Sequence, residues 1–129
     1  MESIRFIGEI HSPLKEISDC PLLENEGAPQ VSITINKKYR EALTGLHAGA
    51  KVILFTWLHK ADRKTLVTKP RNNPNAFTKG VFATRSPDRP NPIGIHVSEI
   101  LAITGNGEIK ISGLEVIDGT PLIDIKPYL

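Results

Sequence analysis

Residues 93–104 and 108–116 are two runs rich in isoleucine and valine, separated only by Gly105-Asn106-Gly107. A connection this short commits them to pair antiparallel through a tight glycine-containing turn, because a parallel pair needs a crossover of about a dozen residues. The chain must therefore build at least one antiparallel ladder and cover one of its faces. The same glycines do not make a dinucleotide-binding fingerprint, which has to follow a strand and open a helix, whereas these open a strand.

Other segments extend the β pattern. Val31, Ile33 and Ile35 alternate with Ser32, Thr34 and Asn36, the period of a strand with one buried face. Ile4–Ile10 reads as a first strand, interrupted by Ser12-Pro13. Lys51–His59 is an almost continuous apolar run and predicts a central strand buried on both sides. Asn36–Leu46 predicts a short helix capped by Asn36, with Tyr39, Leu43 and Leu46 on one face and Gly45 near its end. Residues 68–78 carry Pro70, Asn72, Asn73, Pro74 and Asn75 and read as a long loop. The expected architecture is mainly β, a single antiparallel β-barrel or strongly curved sheet with short helices and no Rossmann pattern. At 129 residues and 40% hydrophobic content, one domain spanning 1–129 is expected.

Cys20 is the only cysteine, which excludes an intrachain disulfide and points to a reducing, cytoplasmic setting. His11, His47, His59 and His96 show no paired ligand spacing, so no metal is expected. No apolar stretch has the length of a spanning helix, and the start lacks the apolar core of a signal segment. The formal charge of +2 conceals an uneven distribution. Between Lys60 and Arg89 eight basic residues face only Asp62 and Asp88, a net of +6 that leaves −4 for the remainder. A local cationic segment on an acidic domain focuses a field suited to a polyanion, although a solvated loop would carry the same charges harmlessly.

Two segments are chemically dense. In Gly80–Gly94, Pro87, Pro90 and Pro92 fix the backbone around Arg85, Arg89 and Asn91, and a guanidinium on a stiff loop can clamp a carboxylate or phosphate. The plain alternative is a rigid turn whose arginines pair with Asp88 and Glu99. In the second segment, Asp118-Gly119-Thr120-Pro121 is a turn signature. Beyond it Asp124, Lys126 and Tyr128 alternate with Ile123, Ile125 and Pro127, which sets an acid, a base and a phenol on one face. Such a row can handle protons or orient a substrate, and an Asp–Lys pair on a surface strand is also ordinary. No Gly-x-Ser-x-Gly elbow supports a hydrolase.

The run Gly80–Gly94, together with Ile7–Pro13, Leu43–Leu46, the strand ending at His59 and the closing Asp118–Leu129, resembles the TsaA-like family of non-Rossmann methyltransferases. The resemblance covers essentially the whole chain. It implies a six- or seven-stranded antiparallel barrel acting as a homodimer, with S-adenosylmethionine held near the subunit interface. By motif, it implies cofactor contacts from His59, Lys60, Arg85, Val97 and the stretch Leu114, Glu115, Val116 and Ile117. It also implies a tRNA partner, with methyl transfer to N6 of threonylcarbamoyladenosine at position 37 beside the anticodon. Arg85, Asp118, Asp124, Lys126 and Tyr128 are then the candidate catalytic groups, and Arg89 and Asn91 the candidate substrate contacts. Family members commonly carry Pro-Arg-Gln where this chain has Pro21-Leu22-Leu23, and Phe-Ser-His where it has Gly49-Ala50-Lys51. Two rival functions fit the same chemistry, a small-molecule methyltransferase and a non-catalytic module that binds adenosylmethionine or RNA.

Overall fold

The computed structural model describes residues 2–15, 29–69, 75 and 77–129. The strands are β1 (Gly8–His11), β2 (Val31–Ile35), β3 (Lys51–Trp57), β4 (Val67–Thr68), β5 (Lys79–Gly80), β6 (Ile93–Ile103), β7 (Glu108–Ile111) and β8 (Pro121–Pro127). Six of them close an antiparallel barrel in the order β1-β2-β7-β6-β3-β8. Closure comes from β8, which pairs with β3 through Leu54↔Ile125 and with β1 through Gly8↔Leu122. β4 and β5 form a separate two-stranded ladder, Val67↔Gly80 and Thr68↔Lys79.

Alternation drives the packing. Ile10, Ile33, Ile35, Leu54, Ile100, Ile109, Ile111 and Leu122 point inward and are fully buried, so the barrel is a packed core rather than a channel. β3 differs from the expectation of a strand buried on both faces. Its burial alternates, with Val52, Leu54 and Thr56 inside and Ile53, Phe55 and Trp57 partly exposed, because a barrel has one interior and among the described residues no second layer covers this wall. It ends at Trp57, before His59.

The first strand begins at Gly8 rather than Ile4. Side-chain amide Nδ2 of Asn36 donates to the carbonyl of Phe6, and a Cβ on Gly8 would lie 2.5 Å from the Thr34 carbonyl, so pairing this close starts only at the glycine. That same amide explains a second difference. Asn36 does not cap a helix with its side chain, and Lys37–Leu43 winds as a 3₁₀ helix. Tyr39, Leu43 and Leu46 nevertheless pack against the core and close one end of the barrel.

The β6–β7 hairpin forms as its sequence requires, with Gly107 supplying the positive φ at 80°. Its second strand stops at Ile111, short of Val116. From there residues 112–120 cross the other end of the barrel and bury Leu114, Val116 and Ile117. Four amides pin the crossing, Ser112 N–H to the Glu99 carbonyl, Leu114 N–H to Pro29, Asp118 N–H to Leu14 and Gly119 N–H to Ile10. Apolar side chains that would have continued the hairpin instead plug the barrel mouth.

Candidate functional site

Two segments beyond the C-terminal end of β3 are zipped together. Leu58 N–H donates to the Pro92 carbonyl at 2.8 Å, Asp62 N–H to Asp88 Oδ1 at 2.8 Å, Arg63 Nε to the Pro90 carbonyl at 2.7 Å, and Val81 N–H to the Leu66 carbonyl at 3.0 Å. The Arg63 guanidinium also lies 5.1 Å from the Trp57 ring centroid, a cation–π contact that anchors the pair of loops to the barrel wall. His59 and Lys60 therefore stand beside the proline-rich loop 84–92, at the same end of the barrel that residues 112–120 cap.

Within that loop the three polar candidates have different fates. A 3₁₀ turn, Val81–Ala83, leads into amide-to-hydroxyl bonds from Ser86 N–H to Thr84 Oγ1 and from Asp88 N–H to Ser86 Oγ. Arg89 turns back on its own loop, donating from Nε to the Ser86 carbonyl at 2.8 Å and from Nη2 to the carbonyls of Val81 at 2.6 Å and Thr84 at 2.5 Å. Arg89 frames the loop, and among the described residues only Nη1 remains uncommitted. Arg85 is exposed, and its side chain has no hydrogen bond or ion pair among the described residues. The plain alternative of arginines paired with Asp88 and Glu99 is not what forms. Asp88 caps Asp62, and Glu99 lies opposite Lys51 at the far end of β3. Asn91 Oδ1 accepts from Arg63 Nη2 at 3.4 Å.

Asp118 ties the crossing segment to the end of β1. Its Oδ1 accepts from Ser12 N–H at 3.0 Å and its Oδ2 from Lys15 Nζ at 3.1 Å. These two donors, the amide first and the ammonium second, hold its carboxyl below the usual carboxylate range. A carboxylate stabilised in this way is a poor proton acceptor, which weakens the expectation of Asp118 as a base. His59 is also shifted down. Partial burial is the main cause, Lys60 adds to it, and Glu9 opposes it, so the imidazole is neutral near pH 7. Of the cofactor stretch, Leu114, Val116 and Ile117 are buried as the barrel plug and leave only their backbone for a ligand, while Glu115 is half-buried.

The remaining candidates lie on the outer wall. Asp124 is in register with Phe55 and Lys126 with Ile53, and the Tyr128 amide donates to the Lys51 carbonyl beyond the end of β8. The three polar groups do share one face. They descend toward the start of β3, however, and the strand from Lys51 to Trp57 is roughly 20 Å long at about 3.4 Å per residue, which separates Tyr128 from His59 within one chain. Val97, in register with Ile53, is 44% exposed on the same wall and away from the Arg85 loop.

Sequence reasoning missed a buried polar stratum. Thr56 Oγ1 and His96 Nε2 lie 2.9 Å apart inside the barrel, and Ser98 and Thr120 are also buried. A signal was present, since Thr56, His96 and Ser98 occupy the inward phase of β3 and β6 shared by Leu54 and Ile100. At the opposite end a cavity of about 450 Å³ lies between the 3₁₀ helix and β8, lined by Ile7, Tyr39, Leu43 and Ile125 with Asp124. Among the described residues no His, Cys, Asp and Glu group is arranged to hold a metal, and no helix is long and apolar enough to cross a membrane. Pro21–Leu23 lie outside the described residues.

The tRNA-methyltransferase O N-terminal domain family matches residues 9–129. A probable S-adenosyl-L-methionine-binding protein of Methanothermobacter thermautotrophicus is 40% identical over 97% of this chain and 88% of its own length. A second such protein, from Archaeoglobus fulgidus, is 39% identical over 97% of this chain, which spans 33% of that relative. The crystal structure of TrmO from Pseudomonas aeruginosa superposes with a TM-score of 0.79 at 32% identity, covering all of this chain and 56% of the solved one. This chain thus spans just over half the length of that solved chain. A match from β1 to the C-terminal residue, with a closed barrel shared at that identity, means that the chain belongs to the tRNA-methyltransferase O N-terminal domain family.

Proposed function

We propose that the protein is an S-adenosylmethionine-dependent methyltransferase that acts on N6 of threonylcarbamoyladenosine at position 37 of tRNA. The observation that carries the reading is the exposed, uncommitted Arg85 on a loop zipped against His59 and Lys60, at the barrel end capped by 114–117. This donor set fits the cofactor. A guanidinium without a partner suits its carboxylate, and the backbone of the crossing segment suits its polar edges. When bound, S-adenosylmethionine supplies an electrophilic methyl group on a good leaving group.

The residues of the chain then orient and handle charge. Arg85 holds a carboxylate, Arg89 keeps the loop that carries it rigid, and Lys60 meets the phosphate backbone. The acceptor nitrogen is urea-like and must give up a proton. Asp124 and Tyr128 are better placed to receive it than Asp118, whose carboxylate is already occupied by Ser12 and Lys15.

The same reading includes a homodimer in a cytoplasmic setting, each chain using residues 1–129 as one domain. The outer wall of β3 and β6 supports it, because Ile53, Phe55 and Trp57 face Val97, Ile95 and Ile93 as a contiguous apolar surface bounded by Lys51 and Glu99. A two-fold axis across these strands sets the Tyr128 end of one copy against the His59 end of the other, joining groups that one chain keeps apart.

The test is transfer of labelled methyl from S-adenosylmethionine to tRNA carrying threonylcarbamoyladenosine, with unmodified transcript alongside. Label on the modified tRNA alone is the expected result. Cofactor binding without label on either RNA would overturn the acceptor assignment in favour of a small-molecule acceptor or a binding module.

A further inference from the structure

Among the described residues, two exposed apolar surfaces stand out, and their charge separates them. The wall of β3 and β6 has no charged side chain between Lys51–Glu99 and Trp57–Ile93, the composition of a protein interface core. The second surface lies on the β4–β5 ladder and the turn after it. Phe77 is 89% exposed and Phe82 85%, with Leu66 and Val67 on the opposite strand of the ladder and its approach at 65% and 60%. The two phenylalanines flank β5, five residues apart, and so at most about 17 Å from one another.

This second surface is basic. Lys60, Lys64, Lys79 and Arg85 surround it in the sequence, and their side chains make no hydrogen bond or ion pair among the described residues. The two acids of the region, Asp62 and Asp88, are outnumbered and form no ion pair with these cations among the described residues; Asp88 Oδ1 accepts from Asp62 N–H and Asp62 Oδ1 from Lys64 N–H. Lysines are depleted at protein interface cores, which counts against a second protein as the occupant. An aromatic face within a cationic field is instead what unpaired nucleotides recognise, since every base offers a π-face and every linkage a phosphate.

We propose that Phe77 and Phe82 form a stacking platform for unpaired bases of an RNA loop, with Lys60, Lys64 and Lys79 holding the adjoining phosphates. The identity of that RNA as the tRNA anticodon loop rests on the proposed function. The platform explains why large aromatics stand in water at the rim of the Arg85 loop: they grip bases beside the acceptor nucleoside and present it to the barrel end.

The experiment compares the unaltered protein with Phe77→Leu, Phe82→Leu and Phe82→Trp, measuring binding of an anticodon stem-loop RNA bearing threonylcarbamoyladenosine by fluorescence anisotropy. Cofactor affinity is followed by calorimetry and oligomeric state by light scattering. Leucine keeps apolar area and removes the aromatic face. Each leucine variant is expected to bind the stem-loop about tenfold more weakly and to raise KM for it by a similar factor, with cofactor affinity and oligomeric state unchanged, and the tryptophan variant to bind as the parent does. Leucine variants that bind RNA like the parent overturn the platform, and a changed oligomeric state with unchanged RNA binding assigns the surface to a second copy instead. Failure of the unaltered protein to bind the stem-loop also overturns it. RNA binding that depends on the phenylalanines without any methyl transfer would retain the platform and remove the acceptor assignment, whereas transfer with unchanged KM in the variants would do the reverse.

Discussion

Thr56 Oγ1 and His96 Nε2 meet at 2.9 Å inside the barrel, and Gly94, on the same inward phase as His96, is what leaves them room. A Cβ at position 94 would press on Thr56 Oγ1 and stand 2.7 Å from His96 Nε2. Gly94→Ala is therefore expected to cost about 1–3 kcal/mol of stability through overpacking of a buried polar pair. Urea unfolding of the variant beside the parent reads this directly, and an unchanged midpoint would mean that the wall gives way without strain.

Arg85 and Arg89 sit on one loop and predict opposite phenotypes. Arg89→Ala removes three bonds to the carbonyls of Val81, Thr84 and Ser86, for an expected loss of about 1–3 kcal/mol and faster proteolysis of the loop. Arg85→Ala, at an exposed side chain, should leave stability within about 0.5 kcal/mol. It should lower methyl transfer by about tenfold or more, through loss of a charge-assisted bond. Thermal denaturation and turnover measured on both variants separate the two roles; full turnover in Arg85→Ala would remove that residue from the site.

The tie from Asp118 to Ser12 and Lys15 makes stability depend on pH. Its carboxyl titrates lower in the folded protein than in the unfolded chain, where the ordinary value is about 3.9. The stabilisation is then fully present above that ordinary value and is lost as pH falls through the lowered folded one. Asp118→Asn should be less stable than the parent at neutral pH and converge with it in acid. Denaturant midpoints over a pH series test this, and parallel curves would show that the tie contributes nothing.

Pairing of two copies through the β3–β6 wall makes a further demand. Ile95, 41% exposed at the centre of that wall, becomes buried in the dimer, so Ile95→Glu should yield monomers by light scattering and lose activity while keeping its fold by circular dichroism. Tyr128→Phe should likewise lower methyl transfer, and mixing weakened Arg85→Ala and Tyr128→Phe chains should restore part of the activity, because one mixed site receives both intact residues. A dimeric Ile95→Glu protein would place the interface elsewhere.

How much of this was written in the sequence depends on range. The β6–β7 hairpin, the alternation of β2 and the Asp118–Pro121 turn were legible because each is fixed by local periodicity or turn chemistry. Membership of the family could be read from the Gly80–Gly94 run, since rigid, charged loops keep their chemistry in contiguous residues. The split between Arg85 and Arg89 could not be read there. It depends on which carbonyls the folded loop turns toward each guanidinium, and neither Thr84 and Ser86 beside the one arginine nor Asp88 and Pro90 beside the other specifies that. Nor could the one-sided burial of β3, whose apolar run is compatible with a central strand until closure of β8 onto both β1 and β3 decides that there is a single interior. Tertiary structure likewise turned Leu114–Val116 from strand into plug and set Tyr128 a strand's length from His59, since pairing partners distant in sequence, not local propensity, determine which end of a barrel each residue occupies.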